Sequence, residues 1–179
     1  MSVPGITERI AALIAPMGAS VAEVAALIAR YGTVQPLREG RAFAWQEDPA
    51  ERCALVLSGR LLPVKRRLGA ESVTLPALFP GDWAALAEAV AQAPAQADYI
   101  AEGAAELLVI PVRNLAVPAA QAAFAPYLAQ ARARECLSLH GWILGGGPRE
   151  RSLSWLLTRR RSLGGLENRR VAATQAGIA

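Results

Sequence analysis

Between residues 34 and 112 the sequence is a series of short apolar runs separated by turn residues, and this pattern constrains the fold more than any other feature of the sequence. Runs such as CALVLSGRL and AELLVIPV have the composition of strands, and EDPAE, LGAE and PGD are typical of the turns between them. A parallel sheet would need a helix between successive strands, for which the spacing leaves no room. The pattern therefore predicts a small antiparallel barrel or sandwich.

Helical patterns lie on both sides of this region and once within it. Residues 5–31 repeat apolar side chains at i, i+3, i+4 and i+7 up to a stop at Gly32. The segment 83–93, WAALAEAVAQA, is predicted as a short helix inserted between strands. After Pro111 the helical period returns in a long alanine-rich segment, in which Pro126 either begins or kinks the main helix.

The composition excludes several classes of protein. The chain has 179 residues, of which 53% are hydrophobic and 19% charged, so it can bury a sizeable core. No apolar run approaches the roughly 18 residues of a membrane span, and the first residues lack the pattern of a signal peptide, so a cytoplasmic location is expected. With only Cys53, Cys136 and His140 available, a disulfide framework, a four-cysteine cluster or an all-histidine metal site cannot be assembled from one chain.

The motifs of common enzyme classes do not occur. The sequence contains no G-x-S-x-G elbow, no G-x-x-x-x-G-K phosphate loop and no H-E-x-x-H pair. The glycine run at 145–147 is followed by Pro148 and not by Lys-Ser/Thr, which favours a hinge before a new helix. We therefore expect a binding protein and not an enzyme.

The positive charge is concentrated at one end of the chain. Residues 148–179 contain seven arginines and two glutamates, an excess of five positive charges, whereas the whole chain has a net charge of +4. A nearly neutral body with a basic end is expected when that end meets a polyanion, most commonly nucleic acid. Charge alone is equally compatible with an arginine-rich, solvated helix face.

The order of elements resembles the Crp/Fnr family of bacterial transcription regulators. The similar segments are PLREGRAFAWQEDPAERCALVLSGRL, PGDW at 80–83, AELLVIPVRNL, PRERSLSWLL and VAATQAGIA. Together they cover nearly the whole chain in the family's order, which is more specific than any one of them. The resemblance implies an α+β fold with N-terminal helices, an antiparallel jelly-roll-like β-roll, a long dimerisation helix and an incomplete C-terminal helix-turn-helix domain.

The resemblance also divides the chain into three parts. It implies N-terminal helices and a cyclic-nucleotide-binding-like β-roll over residues 1–112, and a connecting and dimerisation helix over 113–144. A hinge and a partial helix-turn-helix domain follow over 145–179.

In family members that bind cyclic nucleotides, a Gly-Glu pair after the PGD turn and an Arg-Ser pair after the next proline hold the ribose and the phosphate. With Trp83, the positions that correspond to this effector pocket are Ala85, Leu86, Ala95 and Gln96. Both charged ligands are replaced, and a buried phosphate without a guanidinium loses several kcal/mol in order of magnitude. We therefore expect no tight binding of cyclic AMP or cyclic GMP in the family manner.

Other effectors are less well marked in the sequence. Arg60, Arg66 and Arg67 lie on a predicted strand and could enter the roll, although alternate strand positions commonly face solvent. Haem is sensed by relatives of this family, and His140 or Cys53 would be the candidate ligands here. A core position suits Cys53 better, and a helix cap or surface position suits His140 better. Trp83 could stack on a flat ligand or pack against the roll. An unknown small-molecule effector is expected, without a cofactor.

A two-fold protein reads a pseudo-palindromic DNA site, so the family resemblance also implies a homodimer. The dimerisation helix would lie within residues 118–142, and the alternative is a monomeric helix packed on the roll. The expected seam residues are Phe124, Tyr127, Leu128, Ala131 and Leu137.

The expected DNA contacts all lie near the end of the sequence. They are Arg149, Arg151, Arg169, Arg170, Thr174 and Gln175, with phosphate contacts from the arginines. The sequence ends within what resembles the first helix of the reading motif, so we expect a fragment of a longer regulator. The alternative function is a non-DNA-binding β-roll scaffold or protein-interaction module.

Overall fold

The computed structural model describes residues 5–17, 20–67, 69–119 and 122–144. The helices in these ranges are α1 Ile6–Ile14, α2 Val21–Tyr31, α3 Leu86–Ala91, α4 Val112–Ala119 and α5 Phe124–Leu144, with a 3-10 turn at Ala15–Met17. The strands are β1 Thr33–Leu37, β2 Arg52–Ser58, β3 Leu61–Arg67, β4 Ala70–Thr74, β5 Trp83–Ala84, β6 Asp98–Ala101 and β7 Ala105–Pro111.

The strands form two antiparallel sheets. One has the order β1-β7-β2-β5 and the other the order β4-β3-β6. In the centre of the first sheet, β2 pairs with β7, and Leu55 lies opposite Leu108. All strand pairs are antiparallel, as the close spacing of the turns predicts.

Strand β2 separates two apolar clusters by alternation of its side chains. Cys53 and Leu55 belong to a cluster with the N-terminal helices, whereas Ala54 and Val56 belong to a cluster inside the roll. Because successive strand residues point to opposite faces, an unbroken apolar strand is required to serve both clusters. The apolar run CALVL is therefore explained by the burial of both faces of β2.

The predicted fold class is confirmed: the structure is α+β with antiparallel sheets, and a long helix follows the roll. The predicted helical region 5–31 consists of α1 and α2, and Ser20 has a left-handed φ of 66° just before α2. The prediction for 83–93 was wrong at its start. Trp83 and Ala84 pair with β2, so long-range strand pairing overrides the helical composition before α3 begins at Leu86.

Pro126 lies at the start of the main helix, which is one of the two predicted alternatives. It occupies the third position of α5, in the first turn, where a backbone N–H has no partner within the helix. None of the described helices is long and apolar enough to span a bilayer. The glycine hinge at 145–147 and the whole predicted segment 145–179 lie outside the described residues.

Candidate functional site

A cavity of about 740 Å³ lies between the roll and α5, and we call it the α3–α5 cavity. Helix α3 and the turn before β5 form one wall, and residues 131–139 of α5 form the opposite wall. Most of the lining is apolar, and its apolar members include Pro63, Leu75, Pro76, Leu78, Trp83, Leu86, Ala87, Ala91, Ala93, Ala97, Ala131, Leu137 and Leu139.

The PGD turn positions the first wall. Asp82 Oδ2 accepts a hydrogen bond from the Phe79 backbone N–H at 2.8 Å, which closes the turn. Gly81 has a left-handed φ of 93°, and a Cβ there would lie 3.0 Å from the carbonyl oxygen of Leu13. A glycine at this position therefore allows both the turn and its close approach to α1.

Glu88 of α3 is a buried carboxylate in this cavity, with 6% of its surface exposed. Its Oε1 accepts from the Tyr99 hydroxyl at 2.7 Å and from the Gln96 backbone N–H at 3.3 Å. Its Oε2 is buried and has no hydrogen-bond partner among the described residues. Burial, followed by the charge of Glu88, raises the pKa of Tyr99, so the hydroxyl remains protonated as the donor.

Helix α5 contributes a second set of polar groups. Glu135 pairs with Arg132 at 2.5 Å, and both line the cavity. Burial raises the pKa of Glu135, Arg132 opposes this shift, and the charge of Glu88 adds to it. Ser138 also lines the cavity, with 9% of its surface exposed, and its Oγ has no hydrogen-bond partner among the described residues. Each wall of the cavity thus contributes one residue, Glu88 or Ser138, that has a buried oxygen without a hydrogen-bond partner among the described residues.

A direct hydrogen bond joins the roll to α5, one turn before the residues of α5 that line the cavity. Trp83 Nε1 donates to the Tyr127 hydroxyl at 2.7 Å. The Tyr127 ring lies 5.6 Å from the ring of Phe124, measured between centroids, and both side chains are buried. An aromatic cluster therefore holds the first turns of α5 against the roll.

The structure brings three of the five predicted effector positions to the cavity, namely Trp83, Leu86 and Gln96. Ala85 and Ala95 are buried but do not line it. Ala95 lies within a backbone ladder, where its N–H donates to the Asp48 carbonyl and its own carbonyl accepts from Glu47.

Ala85 keeps an unusual backbone conformation. Its φ of 54° is left-handed, although the residue carries a Cβ. It directly precedes α3, where family members that bind cyclic nucleotides have glycine. Alanine in this conformation costs on the order of 1 kcal/mol, and the chain nevertheless adopts the left-handed conformation here.

The five residues of the predicted dimer seam differ in their burial within the chain. Phe124 and Tyr127 are buried within the chain and belong to the cluster formed with α1 and α2. Leu128 and Ala131 are partly buried against the same cluster, whereas Leu137 is 64% exposed. The dimer seam stays a prediction, and Leu137 is the one exposed member of its five residues.

The candidate haem ligands lie in different environments. Cys53 is fully buried in β2, with its Sγ 3.8 Å from the Ile110 carbonyl oxygen, and burial raises its pKa to about 12. His140 is exposed on α5. In the described part of the chain, no cluster of three or more His, Cys, Asp or Glu residues could hold a metal ion.

Two of the three arginines at β3, Arg60 just before its start and Arg66 within it, form ion pairs. Arg60 Nε lies 2.5 Å from Glu102 Oε2, and Arg66 Nε lies 3.0 Å from Asp98 Oδ2. Arg67 is exposed. None of these three residues lines the α3–α5 cavity. The predicted DNA contacts lie outside the described residues; they are Arg149, Arg151, Arg169, Arg170, Thr174 and Gln175.

Sequence reasoning did not single out Glu88, Tyr99 or Ser138 as site residues. Glu88 lies in an alanine-rich helix, where a lone glutamate is normally solvated. Its partner Tyr99 is 11 residues away, and Ser138 lies on a helix that follows the whole roll. No local spacing connects them, so only the tertiary fold brings them to one cavity.

Comparison with solved structures identifies the fold. A cyclic nucleotide-binding domain from Methylobacillus flagellatus is similar over 89% of this chain and 86% of its own, with a TM-score of 0.69 and 15% identity. Thermus thermophilus catabolite activator protein is similar over 93% of this chain and 80% of its own, with a TM-score of 0.59 and 23% identity. The regulatory domain of Toxoplasma gondii PKA, crystallised with cAMP, matches 73% of this chain with a TM-score of 0.58 and 12% identity, and this chain spans 47% of its length.

The chain therefore has the fold of a cyclic nucleotide-binding domain, and it shares this fold with catabolite activator protein. No protein-family model matches the sequence, and neither does any curated protein sequence. At these identities the similarity defines the fold alone.

Proposed function

We propose that this chain is the sensing part of a DNA-binding transcription regulator of the Crp/Fnr type, responsive to an effector that is not a cyclic nucleotide. The observation that carries the proposal is the α3–α5 cavity, which has one wall on the roll and the other on α5. A ligand there touches both elements, so it can favour one arrangement of α5 over another. We propose a binding role without catalysis, in the bacterial cytoplasm.

The residues at the effector positions argue against a cyclic nucleotide. Leu86 is buried in the apolar cluster of the core, and Ala95 is buried in the ladder with Asp48. Neither can supply the carboxylate and guanidinium of the family pattern. A cyclic phosphate bound in the α3–α5 cavity would share it with the buried Glu88 carboxylate, and two like charges in a partly dehydrated cavity repel.

Calorimetry tests this part of the proposal. We expect no saturable heat when the chain is titrated with cyclic AMP or cyclic GMP at millimolar concentration. Saturable binding in the submicromolar range would show that other residues bind the phosphate. It would overturn the interpretation of Leu86 and Ala95.

A DNA-binding measurement tests the regulator itself. The support for DNA as partner is the fold shared with catabolite activator protein, together with the excess of five positive charges in residues 148–179. Fluorescence anisotropy with labelled duplex DNA is expected to detect binding whose affinity falls by about a thousandfold between roughly 50 and 200 mM salt.

Two triple variants make the DNA measurement specific. Replacing Arg149, Arg169 and Arg170 by alanine is expected to weaken DNA binding and reduce its salt dependence. The matched control replaces three exposed arginines of the described residues by alanine, namely Arg30, Arg38 and Arg41, and is expected to have little effect. Equal losses in both variants, or no DNA binding at low salt, would favour the scaffold function instead.

A further inference from the structure

We infer that the effector of the α3–α5 cavity is an organic cation, with an apolar body and a protonated amine that binds between Glu88 and Ser138. This inference rests on the proposed function, because it names the chemical class of the effector for the same site.

The first argument is the unsatisfied oxygen of Glu88. Two donors hold its Oε1, the hydroxyl of Tyr99 and the backbone N–H of Gln96, so the carboxylate has a fixed orientation. Its Oε2 has no partner among the described residues, and a buried acceptor without a donor is unfavourable. A ligand N–H is the group that this oxygen lacks.

The second argument is the position of Ser138 on the opposite wall. Its Oγ is equally buried and unpartnered, and it lies on α5 while Glu88 lies on α3. A primary ammonium group has three N–H donors in a tetrahedral arrangement. It can therefore donate to groups on both walls, which an anionic or donor-free ligand cannot do.

The third argument is the charge around the cavity. The lining contains three carboxylates and two guanidinium groups, which are Asp82, Glu88, Glu135, Arg132 and Arg134. Arg132 is engaged by Glu135 at 2.5 Å. When all five groups are ionised, the lining carries three negative and two positive charges. Burial strengthens the preference of such a lining for a cation over an anion.

The apolar lining defines the rest of the ligand. The cavity volume of about 740 Å³ lies in the range of small-molecule sites, and leucine, proline and alanine side chains cover most of it. An aromatic or aliphatic amine fits this division into an apolar body and one polar group. A sugar or a polyamine would leave hydrogen-bonding groups facing apolar side chains, at a cost in free energy.

The test uses the 179-residue chain with three probes of one size: phenethylamine, 2-phenylethanol and 3-phenylpropionate. Calorimetry and thermal unfolding are expected to detect saturable binding of the amine in the millimolar range or below, weaker binding of the alcohol and none of the carboxylate. Hexylamine and cyclohexylmethylamine extend the panel to aliphatic bodies. If no amine binds saturably, or if the carboxylate binds as tightly as the amine, the inference is wrong.

Substitutions locate the binding site. Glu88→Gln removes the charge but retains an oxygen for Tyr99, and it is expected to weaken amine binding about tenfold or more, the loss of one charge-assisted hydrogen bond. Ser138→Ala is expected to weaken it several-fold. The matched control is Glu71→Gln, an exposed carboxylate on β4 outside the cavity, which is expected to leave the affinity unchanged. Equal affinity in the Glu88→Gln variant would overturn the assignment.

The outcomes for the effector and for the regulator are separable. Amine binding without DNA binding would support the effector class and contradict the regulator. DNA binding without amine binding would contradict the effector class and leave the regulator in place.

Discussion

Trp83 on β5 and Tyr127 on α5 are joined by a buried hydrogen bond of 2.7 Å, in which the indole N–H is the donor and the phenol oxygen the acceptor. This bond connects the end of the PGD turn to the helix that follows the roll. Both residues have predominantly apolar side chains, so their polar atoms depend on each other once they are buried.

Removing the Tyr127 hydroxyl leaves the Trp83 N–H buried without an acceptor. We therefore expect Tyr127→Phe to lower the free energy of unfolding by about 1–3 kcal/mol, measured by urea denaturation. Tyr31→Phe removes a hydroxyl from the half-buried Tyr31 and serves as the control, with a change below about 0.5 kcal/mol expected. Equal stability of wild type and Tyr127→Phe would mean that the hydrogen bond contributes nothing.

Two glycines with nearly the same backbone conformation differ in the free space around a Cβ atom, and they test how this space affects stability. Gly59 and Gly40 have φ values of 72° and 71°, but a Cβ at Gly59 would lie 2.7 Å from Ala105 Cα, whereas one at Gly40 meets nothing within 4 Å. We expect Gly59→Ala to cost about 3 kcal/mol, from conformational strain plus backbone overlap, and Gly40→Ala about 1 kcal/mol, from strain alone. Chemical denaturation measures both, and similar costs would show that the turn at Gly59 relaxes.

The two thiols are expected to differ strongly in reactivity. Cys53 is buried with a pKa raised to about 12 by burial, whereas Cys136 is exposed on α5. Only the thiolate reacts, so Ellman's reagent at pH 8 should label one thiol in the native protein and two in denaturant. The Cys136→Ser variant should show no rapid labelling. Rapid reaction of that variant would mean that β2 opens readily.

Glu135 is expected to make stability depend on pH. Its pKa is raised above the ordinary value of 4.5, chiefly by burial, so the folded state binds this proton more tightly than the unfolded state does. The contribution of Glu135 is therefore most favourable below pH 4.5 and is lost as the pH rises through the raised pKa. Glu135→Gln should lose less stability than wild type when the pH rises from about 4 to 7, measured by urea denaturation at each pH. Parallel profiles for the two proteins would contradict this prediction.

The exposed stripe of α5 offers a test of the proposed homodimer. Ala129, Ala133, Leu137 and His140 are exposed at three- and four-residue spacing, so they share one side of the helix. If two chains associate there, Leu137→Asp should shift the sedimentation coefficient towards that of the monomer. Val90→Asp, at an exposed apolar residue of α3, is the control and should leave the association unchanged. A dimer that tolerates Leu137→Asp uses another surface.

The predictable part of the structure was the part set by local patterns. Turn residues and strand composition predicted the antiparallel roll, and helical spacing predicted α1, α2 and the long helix. Trp83 was predicted to be helical because local composition carries no information on long-range pairing. In the structure it pairs with Leu55, 28 residues earlier on β2. The candidate site was harder to predict, since the burial of Glu88 depends on Tyr99 and on a cavity wall provided by α5.

Because the hydrogen bond between Trp83 and Tyr127 holds α5 near its beginning, a tilt of this helix displaces its far end more than its middle. The helix is held near its beginning, the cavity lies alongside residues 131–139, and the last described residue is Leu144. At 1.5 Å per residue, Leu144 lies about 26 Å along the axis from Tyr127, so a tilt of roughly 10° about Tyr127 displaces that end by about 4 Å. A change of an ångström or two where a ligand touches the middle of the helix is thus more than doubled at its far end.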